Sequence, residues 1–141
     1  MFLEFLVNFF TPLVLSILLG FPPVGILLTV GGTFLFDADH LVYMFFNPNI
    51  KSFKNALDFA KTEYRSHSPH LFIFHTVEFL TISVFLAIVL DNATLKYIVL
   101  GFLINFGLDI ITYVFYYKST KPWLKYLSLV SYLLKKQSAK V

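Results

Sequence analysis

The stretch FDADHLVYMFF, residues 36–46, places two carboxylates and an imidazole among side chains apolar enough for a lipid bilayer. Asp37 and His40 are three residues apart, so on a helix they point the same way. Asp39 lies about 160° around an ideal helix from Asp37. It binds a second ion, orients a ligand, or sits where the helix is distorted. A second group follows in RSHSPHLFIFHTVE, residues 65–78, where His75 and Glu78 repeat the spacing and His67 and His70 precede them. Asp109 closes a third stretch, GFLINFGLD, residues 101–109. One aspartate at the centre of a membrane helix costs about 2.5–3.5 kcal/mol, and less near the interface. Asp37, Asp39, Glu78 and Asp109 must therefore face inward, where close carboxylates repel unless they are protonated or bound to cations. A divalent metal with histidine companions resolves that repulsion.

The elements that position these groups follow from hydropathy. The 141-residue chain is 57% hydrophobic with a mean hydropathy of +0.75. Its charged share is 13%, about half that of a soluble domain, too little to cover a soluble core. It reads as one all-α integral membrane domain, residues 1–141, with four transmembrane helices over roughly 2–19, 24–46, 69–90 and 95–117. Each can cross a hydrocarbon core of about 30 Å. Pro12 interrupts the first, GFPP ends it, and Pro69 is placed to start the third. The first segment carries Glu4 instead of basic residues and lacks a small-residue cleavage site, so it reads as retained, not as a signal peptide. Glu4 and Asn8 read as terminal solvation. Gly31 and Gly32 permit close helix packing. Without cysteine, disulfides and thiolate metal sites are excluded.

Two shorter helices are predicted at the membrane surface. Ile50, Phe53, Leu57, Ala60 and Tyr64 recur at helical spacing over residues 50–64, and lysines bracket the apolar run from Trp123 to Leu134 within 121–136. Ten of the eleven basic residues lie in the central loop or the C-terminal tail, and Lys96 is the exception. With four spans, the loop and both termini share the cytoplasmic side of the cell membrane. Asp37 to His40 lie six to nine residues before Phe46, His75 and Glu78 six to nine after Pro69, and Asp109 eight before Tyr117. At 1.5 Å per residue, all are roughly 9–14 Å below the cytoplasmic surface.

These motifs carry a resemblance. DADH at residues 37–40, RSHSP at 65–69 and GFLINFGLD at 101–109 resemble the predicted membrane-bound metal-dependent hydrolases typified by the YdjM family. That family carries D-x-D-H, an H-R-G-x-T-H-S-like motif and G-Y-x-x-H-x-x-x-D on a small multi-span scaffold. Asp37, Asp39 and His40 match the first. Ser66, His67 and Ser68 match the end of the second, whose leading His is missing. Gly101 and Asp109 match the third, with Asn105 where the family has His. The resemblance spans roughly residues 30–117 and implies a metal site more firmly than a reaction.

The leading reading is a membrane-embedded metal-dependent hydrolase of a lipid ester or phosphoester near the cytoplasmic face. Asp37, Asp39, His40, His75 and Asp109 are the expected ligands to zinc, manganese or iron, with His67, His70 and Glu78 as further ligands or catalytic proton carriers. Arg65, the sole arginine, cannot form the basic cluster that a metal-free phosphatase needs. The expected partners are membrane lipids, a second copy or another membrane protein, and no nucleic acid. Two other classes stand beside it. One is an ion or proton transport protein acting as an oligomer. The other is a non-catalytic membrane subunit with a structural metal, which Asn105 favours.

Overall fold

The computed structural model describes residues 2–38, 42, 46, 73–116, 128 and 129. Among them are four helices and no strand: α1 (Phe2–Leu18), α2 (Pro23–Phe36), α3 (Val77–Val89) and α4 (Ala93–Tyr116).

Helix α1 runs unbroken through Pro12. Proline lacks an N–H, so the Asn8 carbonyl one turn earlier loses its helical donor. The Thr33 hydroxyl of α2 reaches that carbonyl at 3.2 Å while also lying 2.7 Å from the Val30 carbonyl. A threonine from a neighbouring helix thus takes over the freed backbone group, as apolar surroundings require. The interruption read at Pro12 is instead a helix–helix contact. Gly20, at φ +69°, ends the helix turn: the Phe21 N–H donates to Ser16 O and the Gly20 N–H to Ile17 O, both at 3.0 Å. This pair of bonds is the Schellman closure, in which a left-handed residue fits best as glycine. Pro22 and Pro23 then open α2, where a missing N–H costs nothing.

Helices α2 and α4 approach closely enough that only glycine fits between them. A Cβ on Gly101 would stand 2.3 Å from the Thr29 carbonyl oxygen, and one on Gly32 would stand 2.5 Å from that of Ile98. A Cβ on Gly31 would meet nothing within 4 Å, so Gly32 alone of the pair serves close packing.

Helix α3 begins at Val77, not near Pro69. Residues 73–76 form a turn closed on the Ile73 carbonyl by the Thr76 N–H at 3.2 Å and the Thr76 hydroxyl at 2.8 Å. The same hydroxyl oxygen accepts from the Phe79 N–H at 3.3 Å, making Thr76 the N-cap. His75 therefore precedes the helix, and the shared helical face expected for His75 and Glu78 does not exist. Between α3 and α4, Asp91 adopts a left-handed φ of 45° and Asn92 caps α4 by accepting from the Leu95 N–H at 3.0 Å. Lys96 pairs with exposed Asp91 and holds its carboxyl below the usual carboxylate range.

The interior of the described residues is as polar as it is apolar. Phe36, Leu80, Ala87, Val99 and Phe102 are buried, and so are Ser16, Thr29, Thr33, Thr76 and Asn105. Large apolar side chains lie outside, with Leu18 at 76%, Leu27 at 71% and Ile88 at 67% exposure. Residues 93–112 of α4 form the one described helix long and apolar enough to cross a membrane, and the other apolar helices are shorter. The helix expected over 50–64 lies outside the described residues. Of that expected over 121–136, Leu129 is helical and Ser128 is not.

Candidate metal centre

Three elements deliver one side chain each to a common point. Asp37 is the C-cap of α2, with φ −82° and ψ 2°. That conformation lies in the sparsely populated bridge region and interrupts the helix, which resumes at Ala38. The distortion considered at Asp39 thus falls two residues earlier. His75 hangs from the turn that Thr76 closes, and Asp109 projects from α4, whose register against α2 is fixed by Gly32 and Gly101. His75 Nε2 lies 3.3 Å from Asp37 Oδ1 and 3.3 Å from Asp109 Oδ2. One ligand atom from each of the three residues falls within 4.8 Å of the others.

Phe36 sets the imidazole. Its fully buried ring lies 4.3 Å from that of His75, centroid to centroid, and is itself held by Phe102 and Phe106 of α4 at 5.6 and 6.3 Å. The His75 side chain keeps 12% of its surface exposed, against 34% for Asp37 and 26% for Asp109. The site is closed behind the imidazole and open along the carboxylates.

The donor set fits a divalent cation. Ligands about 2.1 Å from a metal stand roughly 3.0–3.4 Å apart at octahedral or tetrahedral angles. The two His75–carboxylate separations fall in that range. Two carboxylates this close carry a repulsion that a single imidazolium offsets only in part, whereas a divalent ion neutralises both and takes imidazole as a ligand. Among the described residues the set is one imidazole and two carboxylates, ligand types that zinc, manganese and iron all accept.

Of the residues expected at the site, Asp37, His75 and Asp109 come together. Asp39, His40, His67 and His70 lie outside the described residues. The Glu78 carboxylate, in the first turn of α3, accepts from the Ser128 hydroxyl on one oxygen and from the Leu129 N–H at 3.0 Å on the other. Asn105, one turn from Asp109, is fully buried and donates to the Thr33 carbonyl at 2.7 Å. Its carbonyl oxygen accepts from the Asn8 amide at 3.4 Å. Asn8 is therefore part of a clasp joining α1, α2 and α4, not a solvated terminal residue. An amide inside the apolar run LVNFF was the available signal, because polar groups in such a run turn inward. Thr76, a hydroxyl directly before VEFL with an acid in the first turn, was the corresponding signal for the cap. The aromatic support from Phe36 had no signal among 18 phenylalanines. No family model, curated protein or solved structure matches this chain.

Proposed function

We propose that this chain is a four-span membrane protein that binds a divalent cation through Asp37, His75 and Asp109 and hydrolyses a lipid ester or phosphoester near the cytoplasmic face. The observation that carries the reading is the meeting of the three ligand atoms, from three separate elements, within 4.8 Å. The apolar exterior and the small and polar residues between the helices suit lipid surroundings, where buried hydroxyls and amides join helices. The basic central loop and tail favour a cytoplasmic placement for both, and the DADH motif supports the hydrolase class.

A bound zinc, manganese or iron ion would supply Lewis acidity and a water of lowered pKa. The chain does the rest. Asp37 and Asp109 hold the charge, and the more exposed of the two, Asp37, faces the open side and is placed to take a proton. Phe36 keeps water from the back of the imidazole. Asp39, His40, His67 and His70 stand nearby in sequence as further ligands or proton carriers.

The test is turnover of ester and phosphoester lipids by purified protein in mixed vesicles. Activity should disappear on chelation, return with one metal, and fall at least about a hundredfold in Asp37→Asn with the fold retained, because the amide keeps the shape but loses the charge. One observation favours a second reading, a non-catalytic subunit with a structural metal: Asn105, at the family's His position, is committed to the helix clasp. Stoichiometric metal without turnover across the lipid panel would put that reading in first place.

A further inference from the structure

Among the described residues, Glu78 is an acidic group three positions from His75 that the metal reading leaves unused, and it accepts hydrogen bonds from Ser128 and Leu129, 50 and 51 positions away. We infer that Glu78 is a positioning residue: it ties Ser128 and Leu129 to the first turn of α3 and so fixes the turn that presents His75 to Asp37 and Asp109. The inference rests on the metal-site reading above.

The packing of α3 leaves room for such a tie to matter. Its principal helix neighbour is α4, and of its 13 residues only Leu80 and Ala87 are buried. A helix with few buried residues opens locally at lower cost than a fully packed one. Its first turn, however, has anchors on two sides. Inward, the His75 ring rests on Phe36 at 4.3 Å and Thr76 closes the turn on Ile73. Outward, both Glu78 oxygens are occupied, one by a hydroxyl and one by a backbone N–H, from residues 50 and 51 positions away. Glu78 is three residues from His75 and two from the cap, so displacement of its backbone is displacement of the imidazole. The carboxylate also lies in the first turn of α3, where negative charge favours the helix N-terminus. Removing the tie leaves the His75 donor intact and alters only where it stands. Partners hydrogen-bonded directly to a ligand change metal affinity by about 10–100-fold when lost, and a tie that acts through the backbone belongs at the lower end of that range.

The experiment is Co²⁺ binding to the full chain in detergent, read both as affinity and as the visible spectrum, which reports ligand geometry. Glu78→Ala and Ser128→Ala should each weaken Co²⁺ binding about tenfold and shift the spectrum. Glu78→Gln, which keeps one acceptor for the Ser128 hydroxyl, should lie between them and wild type. The Glu78→Ala/Ser128→Ala double variant should bind no more weakly than Glu78→Ala, because both remove the same tie. Ser128→Ala deletes a single oxygen and keeps the test alive if Glu78→Ala does not fold. Wild-type affinity and spectrum in Ser128→Ala and Glu78→Ala overturn the positioning role, as do losses that multiply in the double variant. Wild-type protein that binds no Co²⁺ overturns the metal reading and the positioning role with it.

Discussion

At the scale of single residues, the side chains divide between those that hold charge and those that hold helices. Asp37 and Asp109 were legible in the sequence because an acid in an apolar run is costly and must have a reason. Asn105 was legible as a polar residue, but its partners, Asn8 and the Thr33 carbonyl, were not, because they lie 97 and 72 residues away. Its replacement is informative. Asn105→Ala should cost about 1–2 kcal/mol in unfolding measured in detergent, through lost hydrogen bonds at a fully buried position. Asn105→His places a larger ring in the same space and should destabilise by about 1–3 kcal/mol instead of improving the site. A His variant at least as stable as wild type would show that the clasp is dispensable. Thr76→Val, which removes the cap and the hydroxyl's bond to Ile73, should cost about 1 kcal/mol by the same measurement. It should also weaken metal binding, since His75 hangs from that turn.

At the scale of elements, the four described helices could be read in order from hydropathy, while their ends depended on local chemistry that hydropathy does not report. The apolar run after Pro69 looks continuous with α3, yet the backbone turns at residues 73–76 because the Thr76 hydroxyl offers a better partner than a further helical turn. The opposite happened in α1, where Pro12 looked like a break and Thr33 from another helix repaired it. Contact between α2 and α4 sets the distance from Asp37 to Asp109, and glycine makes that contact possible. Gly101→Ala should lower stability by about 1–3 kcal/mol and weaken metal binding, because its Cβ would collide with the Thr29 carbonyl. Gly31→Ala is the control. Its Cβ meets nothing within 4 Å, and alanine is the better helix former by about 1 kcal/mol, so stability should hold or rise. Equal losses in the two variants would contradict the close α2–α4 approach.

At the scale of the whole molecule, the interior of the described residues holds Ser16, Thr29, Thr33, Thr76 and Asn105 beside Phe36, Leu80, Ala87, Val99 and Phe102, while many large apolar side chains are exposed. Asp37, His75 and Asp109 do meet, although His75 precedes α3 and so does not stand a count of helical rises from Pro69, as the depth comparison assumed. What a count of residues could not reveal was direction around each helix, which is why Glu78 bonds Ser128 and Leu129. A reporter fused near residue 93 should lie outside the cell and one in the 47–68 loop inside; the reverse would refute the proposed topology. The most direct test is metal content per chain after purification and dialysis, in wild type and in the Asp37→Asn/Asp109→Asn double variant. About one divalent ion per wild-type chain, and none in a double variant that keeps its helical content, is the expected result. Metal-free wild-type protein that takes up no zinc, manganese or iron, or a double variant that retains its ion, would contradict the assignment of Asp37, His75 and Asp109 as a metal centre.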